Sequence, residues 1–289
     1  MITITGPVAG APSTKPTPED NPSRRPFRAV SDFQKAKKSG RKISMLSLYD
    51  TIVARLAVEA GVNTLLVGDS VAMVLYGYDS TVHATVEMLA PHVAAVRRAG
   101  PEIFLVADLP FGSYRRGLKT AMKAVETLVR AGASAVKLEG VAGNQKIISH
   151  IVESGIPVMG HLGLTPQSVL GLGGYKVQGV TEDGIRRLIK DATELENLGA
   201  FSLVLECVSR ATGSRISSQL SIPVIGIGAG AEVDGQVLVA SDLLGLSPGP
   251  LPRFVRRYLD GKTAVSKAFE EFFQQVADGE YPSGGETYD

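Results

Sequence analysis

In the stretch AVKLEG, residues 135–140, a lysine and a glutamate stand two apart inside an apolar run. Side chains two apart on a strand share a face, so Lys137 and Glu139 are aimed together at whatever that strand end looks toward. Other apolar runs close on comparable groups: Gly68-Asp69-Ser70 after TLLV, Asp108 in IFLVADLP, His161 in PVMGHLG and Glu206 in SLVLEC. Taken singly, each has a structural explanation, since Asp69 or Asp108 could cap the next helix and Lys137 could pair with Glu139. Five consecutive runs with ionisable ends are harder to explain that way. Charges so close to apolar segments are partly desolvated and need partners or a metal.

Asp69, Asp108 and Glu139 supply three oxygen donors from adjacent runs, a set that suits a hard divalent cation such as Mg²⁺ with positions left for water or substrate. Cys207 is the only cysteine and His161 the only one of four histidines at a run end, so a thiolate site is excluded and a histidine-rich zinc site disfavoured. Glu206 stands two runs farther along, across from such a metal, where it is placed to act as a general base. The metal would polarise a bound carbonyl and the base would take a proton from the adjacent carbon. Lys137 would hold a substrate carboxylate as a point charge or form a Schiff base; a neighbouring metal favours the first role.

These groups need elements to position them. Apolar runs occur at 43–50, 64–70, 103–110, 135–140, 157–163, 202–207, 223–230 and 242–249. Helical patterns lie between them. Thr51 to Ala60 carries Ile52 and Leu56 at helical spacing and ends on Gly61; Leu118 to Ala131 ends on Gly132, and Glu182 to Leu198 on Gly199. Those glycines fall where a left-handed cap is expected. A last pattern, Ala264 to Ala277, sets Val265, Phe269, Phe272 and Val276 on one face. Eight strands, each followed by something helical and apolar enough to be covered on both faces, predict a (β/α)₈ TIM barrel, with a doubly wound open sheet as runner-up. In such a barrel the chemistry sits at the C-terminal strand ends, where the ionisable groups fall.

The chain has 289 residues, 44% of them hydrophobic, and a net charge of +1, enough to bury a sizeable core and without the charge signature of a nucleic-acid or acidic-membrane binder. No run reaches the roughly 18 uninterrupted apolar residues of a membrane span, and the first residues lack a secretory signal, so a cytoplasmic location is expected. Residues 1–26 hold six of the sixteen prolines and read as a disordered leader ahead of one catalytic domain, 27–289. The GIGAG turn, 226–230, fits a tight βα turn better than a phosphate cradle, because no lysine or serine completes a P-loop. The long connection from Ser70 to Ala84 is expected to be a lid or substrate wall, or else a subunit contact.

The strings LSLYD, LLVGDSVAMVLYGYDST, VADLPFGSY, AVKLEG, VMGHLGLTPQS, LVLECV and GIGAGAEVDGQVLVASDLLGL, in this order and spacing, closely resemble the ketopantoate hydroxymethyltransferase family. The resemblance runs from about Phe27 to the C-terminus. It implies a (β/α)₈ barrel of the phosphoenolpyruvate mutase and isocitrate lyase superfamily. It also implies transfer of a one-carbon unit from 5,10-methylenetetrahydrofolate to 3-methyl-2-oxobutanoate, giving 2-dehydropantoate on the route to pantothenate and coenzyme A. By motif, Asp69, Asp108 and Glu139 would hold Mg²⁺, the two aspartates directly or through water. Asp69 and Asp108 would also face the chelating keto acid, Ser70 and Lys137 its carboxylate, and Glu206 would accept the proton. His161 would hydrogen-bond near the reacting groups, and Tyr49 would wall the pocket. A homodecamer of two stacked pentamers is the implied assembly. The leader lies outside the shared core, and the tail DGEYPSGGETYD keeps Glu-Tyr-Pro but lacks the histidine expected near its end. Competing readings are another Mg²⁺-dependent lyase or mutase of the superfamily, a metal-free phosphate-binding barrel and a non-catalytic scaffold.

Overall fold

The computed structural model describes residues 24–247 and 249–288. Eight strands run β1 Ile43–Ser47, β2 Thr64–Val67, β3 Phe104–Asp108, β4 Ala135–Glu139, β5 Val158–Gly163, β6 Ser202–Glu206, β7 Val224–Ile227 and β8 Gly235–Val239. All neighbours pair in parallel, and β8 returns to β1, so the sheet closes into the expected (β/α)₈ barrel. The helices are α1 Val30–Ser39, α2 Thr51–Glu59, α3 Val71–Val74, α4 Val86–Ala99, α5 Leu118–Arg130, α6 Gln145–Glu153, α7 Glu182–Asn197, α8 Arg210–Gln219, α9 Ala240–Leu243 and α10 Gly261–Asp278.

Alternation along each strand sorts the side chains into two cores. Leu65, Val67, Leu105, Ala107, Val136, Leu138, Leu203 and Leu205 point outward and pack under the helices. Ile43, Met45, Leu66, Phe104, Val106, Ala135, Met159, Val204, Ile225 and Val237 point inward. Lys137 and Glu139 share their phase with Ala135, and Asp108 shares its phase with Phe104 and Val106, so these charges also enter the barrel. At the N-terminal end α1 supplies Phe33, which meets Phe27, Phe104 and Phe201 edge-on at centroid distances of 4.8, 5.1 and 5.0 Å. That aromatic plug closes the floor. Most of the expected leader lies outside the described residues. Within them the chain is already packed at Arg25, whose carbonyl accepts from Asn63 Nδ2 at 2.8 Å.

One expectation needs correction. The eighth strand is Gly235–Val239, not the run at 242–249, which begins inside α9. The stretch QVLV carries two valines that fit the pleated surface and pairs with Ile43–Ser47. Only residues 228–234 join β7 to β8, without a helix, so the last repeat is shorter than the other connections. The helix expected from Thr51 forms as α2. Its buried stripe is Ala54 and Ala57, while Ile52 and Leu56 are 75% and 61% exposed. Small residues let α2 lie close to the barrel, and the larger apolar side chains face outward. The expected cap glycines do adopt positive φ, 85° at Gly61, 117° at Gly132 and 90° at Gly199.

Candidate active site

The expected site residues come from five strand ends. Asp69 and Ser70 follow β2, Asp108 ends β3, Lys137 and Glu139 lie on β4, His161 lies on β5, and Glu206 ends β6. All seven line one cavity of about 170 Å³ at the C-terminal mouth of the barrel. Asp69, Asp108, Lys137, Glu139 and His161 are buried.

A continuous line of contacts crosses this mouth. The Asp69 backbone N–H donates to Asp108 Oδ2 at 3.0 Å. Asp108 Oδ1 lies 2.8 Å from Lys137 Nζ, which is 3.2 Å from His161 Nδ1. His161 then faces Glu139 Oε1 at 3.5 Å through Nδ1 and Glu206 Oε2 at 3.2 Å through Nε2. Gly163 permits the β5–β6 end of that line: its φ is 90°, and a Cβ there would stand 2.1 Å from the Glu206 carbonyl oxygen. The same carbonyl accepts from the Leu164 N–H at 2.8 Å. Cys207, next in the chain, turns at φ 52°, a left-handed conformation seldom adopted by a non-glycine residue.

Crowding of carboxylates sets the electrostatics. Burial, then the charges of Asp108 and Glu139, push the Asp69 carboxyl well above its ordinary range. Burial disfavours a charged Lys137, but Asp108, Asp69 and Glu139 together outweigh it and hold the ammonium. His161 follows the same balance. Burial and the Lys137 charge lower its pKa, yet Glu139 and Glu206 raise it further, to about 9. Three carboxylates so close to one another favour a divalent cation.

Sequence reasoning missed several members of this site. Ser47 shares the inward phase of Ile43 and Met45 on β1, a signal that alternation alone could have given. Thr81, Met73 and Tyr175 reach the cavity from the connections after β2 and β5, which no strand pattern places. Ser47 Oγ and Thr81 Oγ1 are buried without a hydrogen-bond partner, as expected of groups that await a polar ligand. The Ser70–Ala84 connection therefore forms part of the cavity wall, while its Leu75, Tyr76 and Tyr78 stay exposed. Tyr49 stands behind the wall, its hydroxyl 2.7 Å from Ser70 Oγ, and burial raises its phenol. The GIGAG turn is filled from within the chain: a Cβ on Gly228 would strike the Phe254 ring at 2.6 Å, and one on Gly230 the Arg210 side chain at 2.9 Å.

The model of one known family, described as ketopantoate hydroxymethyltransferase, matches residues 28–284. The chain belongs to the ketopantoate hydroxymethyltransferase family. That makes it an enzyme of the transferase class. A curated 3-methyl-2-oxobutanoate hydroxymethyltransferase of Bdellovibrio bacteriovorus is 48% identical over 262 residues, covering 91% of this chain and 100% of the relative. That of Coxiella burnetii is 49% identical over 252 residues, covering 87% and 95%. The Francisella tularensis relative is 43% identical over 263 residues, covering 91% and 99%. Among solved structures, 2,3-dimethylmalate lyase, a member of the PEP mutase/isocitrate lyase superfamily, aligns with a TM-score of 0.56 at 17% identity, over 91% of this chain and 92% of that one. Phosphonopyruvate hydrolase, in a complex with oxalate and Mg²⁺, aligns at 0.59 with 16% identity over 89% and 92%. At those identities the two structures speak for the barrel that ketopantoate hydroxymethyltransferases share with them, and for nothing finer.

Proposed function

We propose that the chain moves a hydroxymethyl group from 5,10-methylenetetrahydrofolate to 3-methyl-2-oxobutanoate, giving 2-dehydropantoate. Asp69, Asp108 and Glu139 would hold Mg²⁺, and Glu206 would be the base. The observation that carries the reading is the two-sided cavity. Its β2–β6 arc carries the charged groups, while Ile227 of β7 and Val237, Leu238 and Val239 of β8 form an apolar side. A small 2-oxo acid with a branched apolar tail has the same two-sided character.

The donor set suits the metal: three buried carboxylates, one of them raised by burial and then by the repulsion of the others, with orphaned hydroxyls beside them. Among the described residues no group of three or more His, Cys, Asp or Glu side chains is arranged so that it could hold a metal ion. That is compatible with a cation that keeps waters and takes further oxygens from its ligand. Bound Mg²⁺ would polarise the 2-oxo group and stabilise negative charge as it develops there.

The remaining steps fall to the chain itself. Lys137, held charged, and Ser70, fixed by Tyr49, would orient the substrate carboxylate. A charged Lys137 in an ion pair is a poor amine nucleophile, which argues against the Schiff-base role. Glu206 would take the proton from C3, and His161, 3.2 Å away, would steady the carboxylate in its working position. The deprotonated C3 would then bond to the one-carbon unit, whose two C–N bonds to the folate break while water supplies the hydroxyl oxygen and tetrahydrofolate leaves. Cys207 is a weak rival nucleophile, since burial and then Glu206 raise its thiol.

Proton NMR of 3-methyl-2-oxobutanoate in D₂O with enzyme and Mg²⁺ tests this reading. Loss of the C3 proton signal, abolished by EDTA and by Glu206→Gln, is the expected result, and added methylenetetrahydrofolate should yield 2-dehydropantoate. Neither exchange nor product with both cofactors present would overturn it.

The same proposal includes one catalytic domain from residue 27 onward, a cytoplasmic location and a homo-oligomer, with a decamer expected. Exposed apolar side chains support self-association: Ile52 and Leu56 on α2, and Phe269, Phe272, Phe273 and Val276 on α10. No described helix is long and apolar enough to cross a membrane. Sedimentation that finds a monomer at micromolar concentration would remove the oligomer.

A further inference from the structure

Gln167 lies in the 3₁₀ turn Pro166–Ser168 that follows β5, at 8% exposure, and two of its hydrogen bonds go to carboxylates that line the site. Its backbone N–H donates to Glu139 Oε2 at 3.0 Å. Its side-chain Nε2 donates to Asp69 Oδ2 at 2.8 Å and to the Leu109 carbonyl at 3.0 Å. Its Oε1 accepts from the Tyr114 hydroxyl at 2.9 Å. One residue therefore spans the carboxylates of two strand ends, β2 and β4, which do not neighbour each other in the sheet.

The amide has one consistent orientation. Nε2 faces two acceptors, a carboxylate and a carbonyl, so it must be the NH₂ end. Oε1 faces a hydroxyl, which can donate. Tyr114 is fully buried, and its oxygen lies 3.3 Å from the Glu139 N–H, from which it accepts while donating to Gln167. A flipped amide would set its oxygen against Asp69 Oδ2 and the Leu109 carbonyl, leaving three acceptors together without a proton. Each carboxylate gives one oxygen to Gln167, and Glu139 turns its other oxygen toward His161.

From this geometry we infer that Gln167 is a positioning residue. It sets Asp69 and Glu139 in mutual register for a divalent cation, and Tyr114 locks its amide. The inference rests on the reading of those carboxylates as cation ligands. Residues that orient ligands from behind commonly change metal affinity by about 10- to 100-fold when removed. Asp69 has particular need of such a donor, because Asp108 and Glu139 both repel its charge.

The test is Mn²⁺ affinity of the full chain, measured by electron paramagnetic resonance of free Mn²⁺, with melting of the metal-free protein followed in parallel. Gln167→Met keeps the side-chain length and the backbone donor but removes the amide. It should weaken Mn²⁺ binding by about 10- to 100-fold, with metal-free melting within a few degrees of wild type. Raising the metal concentration should restore most of kcat, and Gln167→Glu, which adds a fourth carboxylate, should not rescue affinity. Tyr114→Phe should weaken binding in the same direction by several-fold, and it decides the matter if Gln167→Met does not fold. Unchanged affinity in whichever variant folds overturns the positioning role, provided that wild type binds Mn²⁺ and Asp69→Asn does not. A wild type that binds no Mn²⁺, or an Asp69→Asn protein that binds as well as wild type, instead removes the cation reading itself.

Discussion

The two ends of the barrel interior are built from the same strands in opposite chemistry. At the N-terminal end the inward positions are Ile43, Met45, Phe104 and Ala135, sealed by Phe33 from α1. At the C-terminal end the next positions in the same phase are Ser47, Asp108, Lys137 and Glu139, joined by His161 and Glu206. The floor stabilises the fold by removing apolar surface from water. The mouth works against it, since it buries carboxylates that repel one another and hydroxyls without partners. Stability and chemistry are thus separated by two or three residues along each strand. Substitutions at the two ends should fail in different ways.

Glu206→Gln should show the largest effect. Loss of a general base lowers kcat by about 10²- to 10⁴-fold, and because the side chain sits at the cavity edge, melting should move by no more than a few degrees. Steady-state kinetics beside a melting curve checks both; a variant that unfolds as it loses activity would erase the distinction between the ends. The converse substitution is Phe33→Ala. Removing a ring that touches three others should cost about 3–5 kcal/mol of stability, read by urea denaturation. At low temperature, kcat of the folded fraction should stay within about twofold of wild type, since no atom of the mouth moves.

How much of each end was legible follows from periodicity. Alternation with period two placed Lys137 and Glu139 on one face, and the count of strands placed that face inside a barrel. Both inferences needed only local sequence. The eighth strand was misplaced because QVLV and DLLGL have similar apolar content, and what separates them is a pairing with Ile43–Ser47 almost two hundred residues away. The buried stripe of α2 was not legible for a related reason, since which helical stripe is buried depends on how near α4 lies. Gln167 and Thr81 were invisible because they sit on connections whose course no period describes. Glu206 could be placed on the rim from its strand, but its 3.2 Å contact with His161 required the barrel to close.

Asp69→Asn sharpens the comparison from a third side. Where burial and then neighbouring carboxylates raise a carboxyl, as they do Asp69, neutralising it relieves the fold. The metal-free variant should therefore melt higher than wild type, while Mn²⁺ affinity and the D₂O exchange are lost. A lower melting temperature would mean that the Asp69 charge contributes to the fold through Gln167 more than it costs through Asp108 and Glu139.

The smallest effect is a pH dependence confined to the mouth. His161 has its pKa raised to about 9 in the metal-free protein by Glu139 and Glu206, against an ordinary value of 6.5. The folded state then binds a proton that the unfolded state releases between those two values. The contribution of this group is fully present below pH 6.5 and is lost as pH rises through about 9. Melting of metal-free wild type should decline across that window, and His161→Gln, which keeps a donor but cannot titrate, should flatten the decline. Phe33→Ala should leave the slope unchanged, because the floor holds no titrating group. An imidazole found by NMR to titrate near 6.5 would mean that the two carboxylates do not share their charge with the ring, and that Glu206 stands free of it before substrate arrives.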